Sequence, residues 1–329
     1  MRGDLTTSVG AGSAGPTTTL LTGATGFLGR HVMRLLTAEP DGGRLVGCVR
    51  PGGWDGPPPV GWTLVEVDLA APDGPERLRS ALPHAGPVRL LHLAGDYRSA
   101  DPNALWAANV RTTLAALEAL TGRLVHVMYT SSVAVYGSHH RHHGHRWAAP
   151  DTCYGRAKRL AETALDLFTR DVGIPVAVLR LSSLYGAGNP GGNAIAALTG
   201  AIAHGRPFVV RPAVAPSANA GLTRRAVYAR DYLHVTDAAR AVVAASRARC
   251  RGLLDVGSGV TASPYQLADV ARALGRRVEL SDEASGASVV RFACDSRDIR
   301  AVLGLPVPLP LADGIADELA WRLLTRGPS

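Results

Sequence analysis

The sequence predicts an α/β chain: a doubly wound parallel sheet followed by a smaller C-terminal lobe. Three observations carry that expectation. Residues 18–21 form a short apolar run that breaks into the turn Thr22-Gly23-Ala24-Thr25-Gly26-Phe27-Leu28-Gly29 and passes into helical periodicity at Val32, Leu35 and Leu36. Short apolar runs then alternate with helical patterns as far as residue 181, and such alternation folds as a parallel sheet flanked by helices. Beyond residue 182 the texture changes to Pro-, Ala- and Arg-rich stretches with no second glycine turn.

Strand, glycine turn and helix together form the context in which such a turn binds a dinucleotide. Gly23 allows the tight bend, Gly26 lets the backbone approach a pyrophosphate, and Gly29 lets the helix pack close to the strand. The free N–H groups and the positive dipole end of the helix then face the phosphates. Residues 45–49 read as the second strand. It ends at Arg50, about 20 residues past the turn, where the ribose-reading side chain of such folds stands. An acid there would accept from a ribose 2′-hydroxyl, whereas Arg50 can pair with a 2′-phosphate, so NADP is expected over NAD.

A third strand, 63–67, delivers Asp68-Leu69, and 75–82 reads as a helix. The buried run 88–95 ends in Leu93-Ala94-Gly95, small residues that suit a ligand lying against the sheet edge. His92 within it is expected to be a packed or surface-edge side chain and not a catalyst. Residues 101–120 read as one helix with Asn109 inside it. A strand over 124–129 leads into Thr130-Ser131-Ser132, a helix over 150–168 carries Tyr154 and Lys158, and a sixth strand covers 176–181. The expected organisation is a flexible tail over 1–16, a dinucleotide-binding domain over 17–182 and a mixed α/β substrate lobe over 183–329. In that lobe helices are expected over 193–203, 235–248, 264–274 and 311–323, with a short strand at 253–256. The irregular stretch 205–230 is expected to fold over the carboxyl edge of the sheet and build a substrate pocket.

With 46 % hydrophobic residues the chain is globular, and no run approaches the ~18 apolar residues of a membrane helix. The N-terminal residues lack the apolar centre of a signal peptide, so a cytoplasmic protein is expected. The four cysteines are scattered without metal-type spacing and read as free thiols. The net charge of +8 comes with no nucleic-acid motif and suits anionic small molecules. The five histidines within 139–145 could hold a transition metal, but hydride transfer needs none. A structural or lid role is expected there, and no metal site is assigned.

Tyr154 and Lys158 are four apart on a helix and so share a face. An ammonium beside a phenol is expected to ease loss of its proton, making a general acid/base usable near neutral pH. Ser132, at the neighbouring strand end, could hold the substrate oxygen.

Taken together, these segments resemble the extended short-chain dehydrogenase/reductases, the superfamily of nucleotide-sugar epimerases, dehydratases and ketoreductases. The turn matches the family's T-G-x-x-G-x-x-G, and Tyr154-Gly155-Arg156-Ala157-Lys158 its Y-x-x-x-K. Thr130 to Gly137 matches the segment of the catalytic serine. Asp68-Leu69, His92 to Gly95, Asn109-Val110, Arg180, Leu184-Tyr185-Gly186 and Arg230 to Val235 match further segments. The resemblance implies a Rossmann-type fold with Ser132, Tyr154 and Lys158 as catalytic residues. The implied cofactor contacts are Gly23, Thr25, Gly26, Phe27, Leu28, Gly29, Arg50, Asp68, Leu69, Leu93, Ala94, Gly95, Asn109, Leu181 and Ser182, besides Tyr154 and Lys158. A nucleotide-diphosphate sugar would meet Tyr97, Ser132, Ser183, Asn193 and Arg230.

Departures from the family narrow the reaction. Dehydratases follow the catalytic hydroxyl with Asp-Glu and decarboxylases carry a Glu there, whereas this chain has Val133-Ala134. The expectation is an NADPH-dependent 4-ketoreductase. The alternatives are a 4-epimerase that keeps NAD bound and a non-catalytic dinucleotide sensor or scaffold. The resemblance also implies a homodimer formed through the helices over 101–120 and 150–168.

Overall fold

A computed structural model describes residues 16–83, 86–137, 148–170, 172–210, 213–214, 225–280 and 288–325. The histidine loop 139–145 and the tail 1–15 lie outside the described residues. The chain opens with β1 (Thr18–Thr22), α1 (Phe27–Ala38), β2 (Arg44–Val49), β3 (Trp62–Glu66), α2 (Gly74–Ala81) and β4 (Val88–His92). Next come α3 (Pro102–Trp106), a π turn (Ala107–Arg111), α4 (Thr112–Ala119) and β5 (Leu124–Ser132). A 3₁₀ turn (Val133–Tyr136), α5 (Cys153–Arg170) and β6 (Val176–Leu181) complete the alternation.

The large sheet has seven parallel strands in the order β11-β6-β5-β4-β1-β2-β3, where β11 is Gly252–Val256. The order reverses at β1, so ligands are expected beyond the carboxyl ends of β1 and β4. β1 is buried along its whole length, as a strand covered by helices on both faces must be. On one face, Val32, Met33 and Leu36 of α1 pack with Ala238, Ala241, Val242 and Ala245 of α7 (Val235–Arg247). On the other, Leu78, Leu117, Leu120, Ala161 and Leu165 form a second core, where each leucine contributes about 2 kcal/mol by leaving water.

The expected helix over 101–120 is interrupted. Asp101 caps α3 by accepting from the amides of Asn103 and Ala104, but the π turn then holds Asn109, whose Nδ2 donates to Asp96 O at 2.7 Å and to Leu105 O at 2.9 Å. A single π turn inside a helix marks functional sites more often than ordinary helix does.

Beyond β6 come β7 (Ser183–Tyr185), α6 (Ala194–Ala203), β8 (Phe208–Val210), β9 (Ala213–Val214) and β10 (Arg225–His234). β12 (Thr261–Ala262), α8 (Pro264–Ala273), β13 (Val278–Leu280), β14 (Ser288–Phe292), α9 (Arg297–Leu303) and α10 (Leu311–Leu324) finish the lobe. Its core gathers Tyr185, Ile195, Leu198, Phe208, Leu267 and Ile315. Part of the stretch read as irregular, 205–230, is therefore strand. The last strand of the large sheet is β11 rather than β6, because β11 pairs with β6 in parallel after the chain has built much of the lobe. No described helix is long and apolar enough to cross a membrane.

Glu318 on α10 is wholly buried. It accepts from Gly186 N, Asn189 Nδ2, Thr199 Oγ1 and the Arg322 guanidinium, so the lobe grips the loop 186–192. Tyr97 closes that loop from the other side by donating to Gly191 O at 2.8 Å.

Candidate active site

The site begins at the turn after β1. Gly23 has φ +69°, and a Cβ there would lie 2.8 Å from Ala94 N. A Cβ on Gly29 would overlap the Gly23 carbonyl. Gly26 N donates to Gly23 O at 3.0 Å. Gly26 caps α1 with no side-chain hydrogen bond to the first-turn amides. Amides left without a cap at a helix start form an anion cradle. Its wall is Leu93, Ala94 and Gly95, which leave β4 beside the turn.

Asp68 and Leu69 follow β3, where Asp68 Oδ1 accepts from Ala70 N at 3.0 Å and Leu69 is buried. Arg50 stands exposed at the end of β2. The spacing did not reveal a second arginine at the turn: the Arg30 guanidinium lies over the Trp54 ring at 5.3 Å, and Arg30 Nε donates to Thr25 O. An arginine directly after Gly29 was the available signal.

His92 is packed rather than at a surface edge, and it is also a strut. It is wholly buried and hydrogen-bonded to Thr22 Oγ1 at 2.7 Å and Thr113 Oγ1 at 2.9 Å. Thr113 Oγ1 donates to Asn109 O, so it accepts from His92, and the ring is assigned as Nε2–H with Nδ1 accepting from Thr22. Burial holds its pKa down at about 3. The glycine turn is thereby linked to the π turn that carries Asn109.

The reacting groups converge past β4. Ser132 ends β5, and its Oγ accepts from Ala134 N at 3.2 Å while hydrogen-bonding the Tyr154 phenol. A Cβ on Gly155 would overlap Ala134 O, so glycine lets α5 approach the 3₁₀ turn and bring Tyr154 to the serine. Lys158 is buried, with Nζ donating to Thr130 O at 3.0 Å. It sits 4.9 Å over the Tyr129 ring and 6.0 Å over the Tyr154 ring.

The electrostatics correct one expectation. Burial pushes the Tyr154 phenol up to about 12, against a smaller opposing effect of the Ser132 hydrogen bond. Burial also pushes the Lys158 amine down to about 8, with Glu162 acting the other way. In the protein alone the phenol is raised rather than eased toward loss of its proton, because desolvation is the largest effect on it.

The residues fit a dinucleotide. Asn109 Oδ1 is buried and has no hydrogen-bond partner among the described residues. A Cβ on Gly95 would fall 2.6 Å from that oxygen and 3.0 Å from Lys158 Nζ. An unsatisfied acceptor and an ammonium facing the same bare glycine suit a hydroxyl-bearing ring.

Residues 19–256 match the family described as NAD dependent epimerase/dehydratase. The chain belongs to that family. With Ser132, Tyr154 and Lys158 assembled on a dinucleotide-binding fold, this family member has the makings of a short-chain dehydrogenase-type oxidoreductase. It is 30 % identical over 169 residues to a UDP-2-acetamido-2,6-beta-L-arabino-hexul-4-ose reductase of Pseudomonas aeruginosa, covering 51 % of this chain and 36 % of that protein. That match spans about a third of the relative's length. A dTDP-glucose 4,6-dehydratase of Streptomyces griseus is 26 % identical over 92 % of this chain and 93 % of its own. Among solved structures, UDP-glucose 4-epimerase of Thermus thermophilus in complex with NAD shares the fold with a TM-score of 0.74 at 22 % identity, covering 93 % of this chain and 98 % of the other.

The remaining expected contacts fall in different settings. Tyr97 packs edge-on to Tyr154, with ring centroids 6.3 Å apart. Leu181 is buried at the end of β6, and Ser182 turns away from the crevice to donate to Asp231 at 3.2 Å. Ser183 begins β7 and pairs with Tyr232. Both ends of the Asn193 amide are engaged, Oδ1 accepting from Ala196 N to cap α6 and Nδ2 donating to Leu184 O. Arg230 is exposed on β10.

Proposed function

We propose that this protein is a nucleotide-sugar 4-epimerase that keeps NAD bound through the catalytic cycle. The observation that carries the reading is the convergence of Ser132, Tyr154 and Lys158 past the end of β4, beside the uncapped amides of the glycine turn. Val133 and Ala134 follow the serine where a dehydratase of the family places carboxylates, so the chain lacks their tool for abstracting a ring proton. The likeness to a solved 4-epimerase carrying NAD supports the reading over the reductase expected from Arg50.

When bound, NAD supplies a hydride acceptor and returns the hydride. Tyr154 takes the proton of the sugar 4-hydroxyl and later gives it back to the alkoxide. Ser132 would donate to the same oxygen as it becomes a carbonyl, and Lys158 would hold the ribose hydroxyls and offset the phenolate charge. Tyr97, Ser183 and Asn193 would flank the sugar, and Arg230 would meet the diphosphate.

A second reading has its own observation. Arg50, with no acid at the end of β2, favours a 2′-phosphate and thus an NADP-dependent 4-ketoreductase, and the partial match to a sugar reductase points the same way. Denaturing the purified protein and identifying the released dinucleotide by mass spectrometry separates the two. One equivalent of NAD supports the epimerase. Dinucleotide-free protein that consumes added NADPH with a 4-keto sugar overturns it. Tyr154→Phe is expected to retain the dinucleotide and lose about 10²–10⁴-fold in turnover.

A further inference from the structure

We infer that Glu162 is a positioning residue of this site: it keeps the Lys158 amine charged and locks the strand bearing Ser132 to the helix bearing Tyr154. The inference rests on the dinucleotide-binding reading above. Glu162 lies one helical turn beyond Lys158 on α5, the spacing at which side chains share a face. Its carboxylate is almost wholly buried. One oxygen accepts from Ser131 Oγ at 2.5 Å and from Arg180 Nε at 2.9 Å, and the other from an Arg180 terminal nitrogen at 2.6 Å. Ser131 adjoins Ser132 and pairs across the sheet with Arg180. One side chain therefore joins the helix of the acid/base to the two strands beneath it.

Arg180 is itself held, its guanidinium 4.7 Å over the Tyr136 ring. The Tyr136 hydroxyl donates to both oxygens of Asp255. A buried ion pair contributes little net stability over an apolar pair of the same shape. A pair of this kind beneath a lysine that needs its charge has a role besides stability.

Among the described residues, the groups facing Lys158 are few. Tyr154 and Glu162 come from α5, Tyr129 and the Thr130 carbonyl from β5, neutral His92 from β4, and Asn109 from the π turn. Facing Glu162 are Arg180 from β6, Ser131 and Tyr129 from β5, and Arg159 from its own helix at 3.2 Å. Glu162 is the anion whose charge favours the Lys158 ammonium. At the ~6 Å of neighbouring helical turns and an effective dielectric of ~20, one charge moves its neighbour's pKa by about two units. Arg180 is present with or without the Glu162 charge, so it leaves this difference unchanged.

The test is the affinity of the stripped full-length protein for NAD, or for NADP if that is what it carries, measured by protein fluorescence from pH 6 to 9.5. No sugar is needed. In the wild type, affinity is expected to be flat at low pH and to fall as Lys158 loses its proton. Lys158→Met should remove that fall, and a fall that persists in this variant overturns the proposal. In Glu162→Gln the midpoint should move down by about two pH units, with affinity at pH 6 within about threefold of wild type. Glu162→Asp should restore most of the shift. An unmoved midpoint, or an equal loss at every pH, leaves Glu162 a structural residue and overturns the inference.

Arg159→Gln guards against misfolding, because Arg159 is half-exposed and its removal strips one cation from Glu162 without disturbing the buried pair. There the midpoint should rise by a few tenths of a pH unit, and no rise or a fall counts against the proposal. A wild-type protein that binds neither dinucleotide at any pH brings down the proposed function, and this inference with it. Intact dinucleotide binding with no Glu162 effect overturns the inference alone.

Discussion

Replacing Lys158 by methionine should make the dinucleotide-free protein more stable while removing its activity. Burial pushes this amine from 10.5 down to about 8. Each pKa unit is worth ~1.4 kcal/mol, so carrying the ammonium into the folded protein costs about 3 kcal/mol at neutral pH. Methionine has a similar length, suits the Tyr129 ring over which the amine now sits, and returns most of that cost. Thr130 O loses its donor, which takes back about 1 kcal/mol. The expected gain is about 2 kcal/mol, or about 4 °C in the unfolding midpoint of a chain this size.

The dependence on pH has a definite sign. The folded pKa lies below the unfolded one, so the penalty on wild type is full below pH 8 and fades as the pH rises toward 10.5. The advantage of Lys158→Met should therefore shrink from about 2 kcal/mol at pH 7 to about 0.5 kcal/mol at pH 9.5. Urea unfolding of the stripped proteins at the two pH values measures both quantities. A variant less stable than wild type by more than 1 kcal/mol at pH 7, or an advantage that grows with pH, would refute the reasoning.

Two further outcomes are expected. Gly23→Ala forces a Cβ against Ala94 N at a φ of +69°, and should destabilise the protein by about 1–3 kcal/mol and weaken NAD binding at least about tenfold. Urea unfolding and fluorescence titration check this, and near-normal NAD binding would count against the phosphate cradle. Trp106, Leu114, Leu160 and Leu167 are exposed on α3, α4 and α5, and we expect them to form the contact of a homodimer. Sedimentation should show a dimer that Leu114→Glu with Leu167→Glu converts to monomer, whereas a wild type that is monomeric at micromolar concentration would refute it.

Much of the dinucleotide half was legible in the sequence, because most of its strands are short, largely apolar runs and several of its turns are marked by glycine or by small residues. The break at Asn109 was not. Leu105, Leu117 and Leu120 keep to one face on either side of it, so the apolar pattern reads as a single helix across a turn that holds one residue too many. The lobe was harder because β7, β9 and β12 are two or three residues long, below the span over which alternation can be read, and β10 carries Arg230, Asp231 and His234 within its length.

At the site, residue spacing was sufficient to pick out Ser132, Tyr154 and Lys158. It could not give the sign of the phenol's shift, because spacing carries no information about burial. Spacing did not single out Glu162 on α5. The signal for it lay elsewhere, in Arg180, a charge set within the apolar run Val176–Leu181 that demands a buried partner.

The position of β11 bears on how the protein is made. Gly252 pairs with Ala177, so the border of the large sheet stays open until the ribosome has released the intervening lobe. Through that interval β6 presents a bare row of amides and carbonyls, the kind of edge to which other chains adhere. A fragment ending just after β6 would keep this edge permanently. The two halves of this enzyme are thus stitched by a returning thread, and cutting between them would leave neither with a finished seam.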